Sequence, residues 1–106
     1  MAIQKNFTAT ENEMGFLHEN AYYQIVACSY ERTQDTDPKF NVKIMFRIYG
    51  INNPTWSDDG SGTEYMQIKF MDAPAADVEA KSGDNFLAKC YTWAMAQSDF
   101  SGATAV

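Results

Sequence analysis

Few residues in this chain could do chemistry, and their spacing argues against most of what they could do. There is one histidine, His18, and there are two cysteines, Cys28 and Cys90. A nucleophilic hydrolase brings together a nucleophile, a base and an orienting group. His18 with either thiol and a carboxylate is the candidate set, and nothing in the spacing favours it. A zinc site needs about four Cys or His ligands, usually in paired spacings, and none of these three residues is paired. The SDDGSGTE stretch at 57–64 places Asp58, Asp59, Ser61 and Glu64 close together. A calcium loop takes oxygen ligands at alternate positions, a glycine sixth and a bidentate glutamate twelfth, between helices. Here the glutamate comes too early, so a solvated turn accounts for the stretch. Asp35 and Asp37, followed by Pro38, read the same way. The GSG at 60–62 lacks the Lys and Ser/Thr of a phosphate loop and leads into a strand pattern rather than a helix. The expectation is a protein that is not an enzyme and has no metal or cofactor.

The aromatic residues are a different resource. Tyr22, Tyr23, Tyr30, Tyr49, Trp56 and Tyr65 could stack on sugars or bases. The formal net charge of −6 removes the cationic groove that base stacking normally uses. It also disfavours nucleic acid and anionic lipid as partners. Sugar stacking stays open, but tyrosine and tryptophan more commonly serve core edges and subunit contacts. Hydrophobic residues make up 45% of the 106 residues, too much core material for a disordered chain and enough for one domain. No run of 18 apolar residues is present, and MAIQKNFTATENEMG has no signal-like apolar stretch. A soluble product made in the cytoplasm is expected. Cys28 and Cys90 read as small buried thiols; spacing does not decide whether they are bridged.

The elements that must position these residues are mostly strands. FNVKIMFRIYG, residues 40–50, alternates most cleanly. Phe40, Val42, Ile44, Phe46 and Ile48 share one face and Asn41, Lys43, Met45, Arg47 and Tyr49 the other, the period of a half-buried strand. Residues 21–32 form a second strand, with Tyr22, Gln24, Val26, Cys28 and Tyr30 on one side and Ala21, Tyr23, Ile25 and Ala27 on the other. Both sides are largely apolar, so this strand is expected to be covered on both faces. TQDTDPK joins the two as an antiparallel hairpin. Residues 1–10 give a weaker strand with Ile3, Lys5, Phe7 and Ala9 on one side. Residues 64–72 give another, with Met66, Ile68 and Phe70 on one side and Tyr65, Gln67, Lys69 and Met71 on the other. The glycine- and proline-bearing loop at 50–63 carries Trp56, and 73–83 reads as a linker with at most a short turn. One clear helix is predicted at 84–97. Asp84 or Ser82 would cap it. Leu87, Cys90, Tyr91 and Ala94 would face inward, with Phe86, Trp93 and Gln97 alongside. Beyond it Phe100 reads as a plug, and the last residues are either free or an added edge strand.

Two of these stretches carry a family resemblance. HENAYYQIVACSYERTQDTDPKFNVKIMFRIYG pairs an N-A-Y-x-x-I/V opening strand with a turn and a basic-alternating strand. FLAKCYTWAMAQSDFSGATAV is an aromatic helix ending in a DFSGA tail. Together, over residues 18–50 and 86–106, they resemble small virion proteins of tailed bacteriophages encoded among tail, baseplate and tail-fibre genes. The chain departs from that pattern in the loop at 50–63 and the linker at 73–83. The resemblance implies no catalytic residues. It implies a virion structural protein made and assembled in the host cytoplasm, contacting copies of itself and other virion proteins.

The fold expected is therefore mainly β with some α: a small antiparallel sheet or sandwich, one domain over 1–106, with one C-terminal helix packed on it. Residues 1–14 would be an N-terminal arm or edge strand and 98–106 a tail. The function expected is non-enzymatic assembly into a phage tail, baseplate, collar or fibre-attachment region. The alternatives are a capsid decoration protein and, in another class, a carbohydrate-binding module that takes host glycan. Interface contacts are expected from Trp56, Tyr49, Met45, Met71 and Tyr65.

Overall fold

The alternation over 40–50 becomes a central strand. In the computed structural model, which describes residues 1–12, 15–34, 39–55, 59 and 61–106, the first three strands are β1 (Ile3–Phe7), β2 (His18–Arg32) and β3 (Phe40–Tyr49). They are followed by β4 (Gln67–Pro74), helix α1 (Ala75–Glu79), helix α2 (Phe86–Met95), a 3₁₀ turn at Ser98–Phe100 and the short β5 (Thr104–Ala105). The strands form one antiparallel five-stranded sheet in the order β4-β3-β2-β1-β5. The mainly-β fold with a C-terminal helix is as expected, and it is a single sheet with helices on it.

β3 puts Val42, Ile44, Phe46 and Ile48 into the core. Opposite them on β2 lie Tyr30, Cys28, Ile25 and Tyr23. That series changes parity midway, because the pairing steps from Ile25↔Phe46 to Ala27↔Met45 with Val26 as an extra residue. A β-bulge of this kind shifts the alternation by one. β2 was expected to carry two apolar faces; it carries one core face whose phase changes at Val26. The expectation of a second cover over the whole strand falls with it.

β4 also differs from its sequence pattern. Its partners across β3 are Ala73 with Val42, Met71 with Ile44, Lys69 with Phe46 and Gln67 with Ile48. Residues opposite one another share a face, so Lys69 and Met71 lie on the core side while Ile68 and Phe70 lie on the outer side. Phe70 is 56% exposed. The lysines on the core side are held at its rim. Lys69 pairs with Asp99 at 2.8 Å. Lys5 Nζ sits 5.7 Å from the ring centroids of both Tyr23 and Phe100 and forms an ion pair with Glu11 at 2.8 Å. Each stem covers apolar surface while the charge reaches a partner.

The linker at 73–83 contains a helix that the sequence reading did not include. Pro74 ends β4 and occupies the N-cap position of α1, where its missing N–H costs nothing; Val78 is buried in the core. α2 is capped by Asn85, whose side chain accepts from Ala88 N at 2.8 Å, in place of Asp84 or Ser82. Its buried residues are Ala88, Cys90, Tyr91, Trp93 and Ala94, while Leu87 is exposed. Phe100 is the expected plug: it is buried and packs its ring 5.3 Å from those of Tyr23 and Phe46. The tail adds an edge strand. Ala2 and Val106 exchange two backbone hydrogen bonds, at 2.9 and 3.0 Å.

Candidate interaction surface

The helices cover one face of the sheet, so the other face carries whatever the sheet presents outward. On β3 that face holds Lys43, Met45 and Arg47, and on β4 it holds Asp72, Phe70 and Ile68, paired in that order. Lys43 Nζ lies 5.5 Å from the Phe70 ring centroid. The Arg47 guanidinium lies 4.7 Å from that of Tyr65, a cation–π distance. Met45 is half-buried between Ala27 and Phe70. The result is an apolar strip of Met45, Ile68, Phe70 and Tyr65 bordered by cationic groups. It runs along β4, whose far edge pairs with no other described strand.

The expected interface residues divide on this surface. Met45 and the 41%-exposed Tyr65 lie in the strip. Tyr49 was expected on an exposed face and is 0% exposed. It does lie on the outer side of β3, but Tyr22 and Tyr65 cover it, each with ring centroids 6.5 Å away and edge-on. Its hydroxyl is buried with no hydrogen-bond partner. Met71 is on the helix side and packs against the core, because the β3–β4 register reverses the face read from β4 alone. Trp56 lies outside the described residues, as do Asp58 and the turn at 35–38. The sequence reading missed Phe70 and Ile68 as surface residues. Only the register identifies them, since the Lys69 that marks the opposite side as polar finds its counter-ion on Asp99, thirty residues away in sequence.

A second feature lies at the turn end of the β2–β3 hairpin. A cleft of about 750 Å³ is lined by Tyr30, Phe40, Asn41, Pro74, Ala75 and Glu79, among others. Tyr30 stacks on Phe86 with centroids 5.0 Å apart and planes 17° apart. Its hydroxyl donates to Glu79 at 3.0 Å, and this bond raises the Tyr30 pKa. Phe40, expected in the core at the end of its alternation, is 55% exposed here.

The histidine stays apart from the thiol on its own strand. His18 and Cys28 are ten residues apart on one extended strand, about 30 Å at the usual strand rise, so they form no catalytic pair. The His18 ring lies against Gly50, within 3.3 Å of where a side chain would begin. Asp59 accepts from Ser61 N at 2.9 Å, the local bond of a turn. No group of three His, Cys, Asp or Glu placed to hold a metal occurs among the described residues, and none of their helices is long and apolar enough to cross a membrane. No protein-family model, curated protein or solved structure matches the chain.

Proposed function

We propose that this chain is a structural component of a tailed bacteriophage particle, in the tail, baseplate, collar or fibre-attachment region, that works by assembling with copies of itself and with neighbouring virion proteins. The observation that carries the assembly reading is the strip of Met45, Ile68, Phe70 and Tyr65 along the edge of β4 that pairs with no described strand. An exposed edge with an apolar flank offers backbone hydrogen bonds and burial to the same partner. The phage assignment rests on the resemblance over 18–50 and 86–106. These two stretches pack against each other through Tyr30 with Phe86 and Ile25 with Tyr91, so the resemblance falls on one packed unit.

The test has two parts. Light scattering on the purified chain should give a defined oligomer or a complex with a particle protein, and a monomer that binds no virion protein would overturn assembly. Gold-labelled antibody on virions should mark the tail end or neck; label over the head would replace this reading with capsid decoration. The Tyr30–Phe40 cleft favours a second reading, in which the aromatic rings stack a glycan and Glu79 and Asn41 bind its hydroxyls. A glycan array on the wild-type chain and on Phe40→Ala tests it, with loss of signal expected in the variant.

A further inference from the structure

Two contacts fix how α2 lies on β2. Phe86 stacks on Tyr30, and further along the helix Tyr91 Oη accepts from the Ile25 N–H at 2.7 Å. The helix therefore advances as β2 recedes. One helical turn from Phe86 to Cys90 covers about 6 Å, and two residues of strand from Tyr30 back to Cys28 cover about 6.6 Å. If Phe86 lies over Tyr30, Cys90 lies over Cys28. The sheet supports this placement: Cys28 is on the core face opposite Ile44 and packs against the cluster that contains Cys90. Both thiols are free.

We propose that Cys28 and Cys90 are a dithiol modification site that accepts an intramolecular disulfide, a strand-to-helix crosslink formed by exchange with a small-molecule disulfide. Cys28 is partly exposed and Cys90 is fully buried, which sets the order of events. The Cys28 thiolate attacks one sulfur of the reagent, forming a mixed disulfide and releasing one thiolate. Cys90 then gives up its proton and attacks the Cys28 sulfur, expelling the second thiolate. The two protein thiols lose two electrons and two protons, and one disulfide becomes two thiols. The second step is slow near neutral pH, because burial, the largest effect on Cys90, pushes its thiol up and does so whether or not Cys28 has reacted. Raising the pH therefore speeds ring closure. The Cys90 thiol is close enough to Cys28 for a hydrogen bond between the two sulfurs, so ring closure brings together side chains that already touch, with Cα atoms about 4.4–6.8 Å apart in the product.

The experiment treats the reduced wild-type chain with oxidised glutathione at mildly alkaline pH and follows intact mass under non-reducing conditions. The expected product is a monomer lighter by about 2 Da, the two thiol hydrogens. Peptide mapping should join Cys28 to Cys90. Its melting temperature should rise by at least about 5 °C, of the order expected for closing so long a loop, and reductant should reverse the rise. A persistent glutathione adduct on Cys28, a crosslinked dimer, or no change in mass after unfolding and refolding in the reagent would each overturn the proposal. Cys28→Ala and Cys90→Ala supply the control: neither should gain melting temperature with the reagent, and a gain in either also overturns it.

Discussion

The backbone N–H of Ile25 donates to the hydroxyl of Tyr91 at 2.7 Å. β1 pairs with β2 only as far as Ile3 opposite Tyr23, so the neighbouring strand has already ended where Ile25 needs a partner. A helix side chain supplies the bond that a strand would otherwise make. Burial, the largest effect, pushes the Tyr91 phenol up to about 12, which keeps the hydroxyl neutral across the physiological range. Tyr91→Phe keeps the ring and leaves a buried donor unsatisfied, a loss of about 1–3 kcal/mol. Urea unfolding of the variant should show a lower midpoint with an unchanged slope, and Tyr91→Leu should cost more because the ring is also lost.

Phe70 is the residue on which the assembly reading turns. It is exposed on the outer side of β4, so Phe70→Asp should leave the folded chain within about 0.5 kcal/mol of wild type, as surface substitutions do. The same change places a charge in the strip. Light scattering should show the oligomer dissociating at concentrations where the wild-type chain remains associated. A Phe70→Asp variant that assembles normally removes this strip from the interface.

Glu11 makes stability depend on pH at the acid end. Burial would raise its carboxyl, but hydrogen bonds from Lys5, the Thr8 hydroxyl and the Thr8 N–H, with the Lys5 charge, outweigh it and hold the pKa at about 2. The folded value lies below the ordinary 4.5, so the contribution is full above pH 4.5 and is lost as the pH falls towards 2. Melting temperature against pH should drop across that window in the wild-type chain. In Glu11→Gln the curve should be flatter there and lower at neutral pH.

Gly62 closes the neck of the loop at 50–63. Thr63 N donates to Thr55 O at 2.9 Å, and Gly62 sits between them at φ +115°. A Cβ there would lie 2.5 Å from Thr55 O. Gly62→Ala therefore meets both a backbone clash and a conformation that residues with side chains avoid, worth about 1–3 kcal/mol. Hydrogen exchange should show faster exchange of the Thr63 amide in the variant, with the β2–β3 amides unchanged. Gly15, whose Cβ position is open, is the control for the conformational part alone.

How much of this was legible follows the kind of signal each element carries. β3 was readable because its alternating residues Val42, Ile44, Phe46 and Ile48 are buried against the helices. α2 was readable because its apolar arc is wide, although its cap was not, since Ser82, Asp84 and Asn85 are all good caps and only the chain's path chooses. The Val26 bulge left no mark in residue types; it appears as two apolar faces, which is also how a doubly covered strand reads. The face of β4 depended on a counter-ion at Asp99, far along the chain. Tyr49 was misplaced because alternation assigns a side of the sheet correctly and says nothing of a neighbouring ring folding over that side. The outer strip, the best candidate site, combines these last two cases, and this is why alternation put Met45 on the outer side of the sheet and did not put Phe70 and Ile68 there.

The pairing of Ala2 with Val106 has a mechanical meaning. The two ends lie side by side in antiparallel strands, so tension applied between them peels β5 from β1 one bond at a time rather than shearing the ladder all at once. Such a geometry yields at low force. A load pulling on both ends would detach the last few residues first and leave the β4-β3-β2-β1 sheet intact, with β1 newly bare along the side that β5 had occupied. Stretching would thus exchange a two-residue edge strand for a five-residue one able to receive a strand from elsewhere.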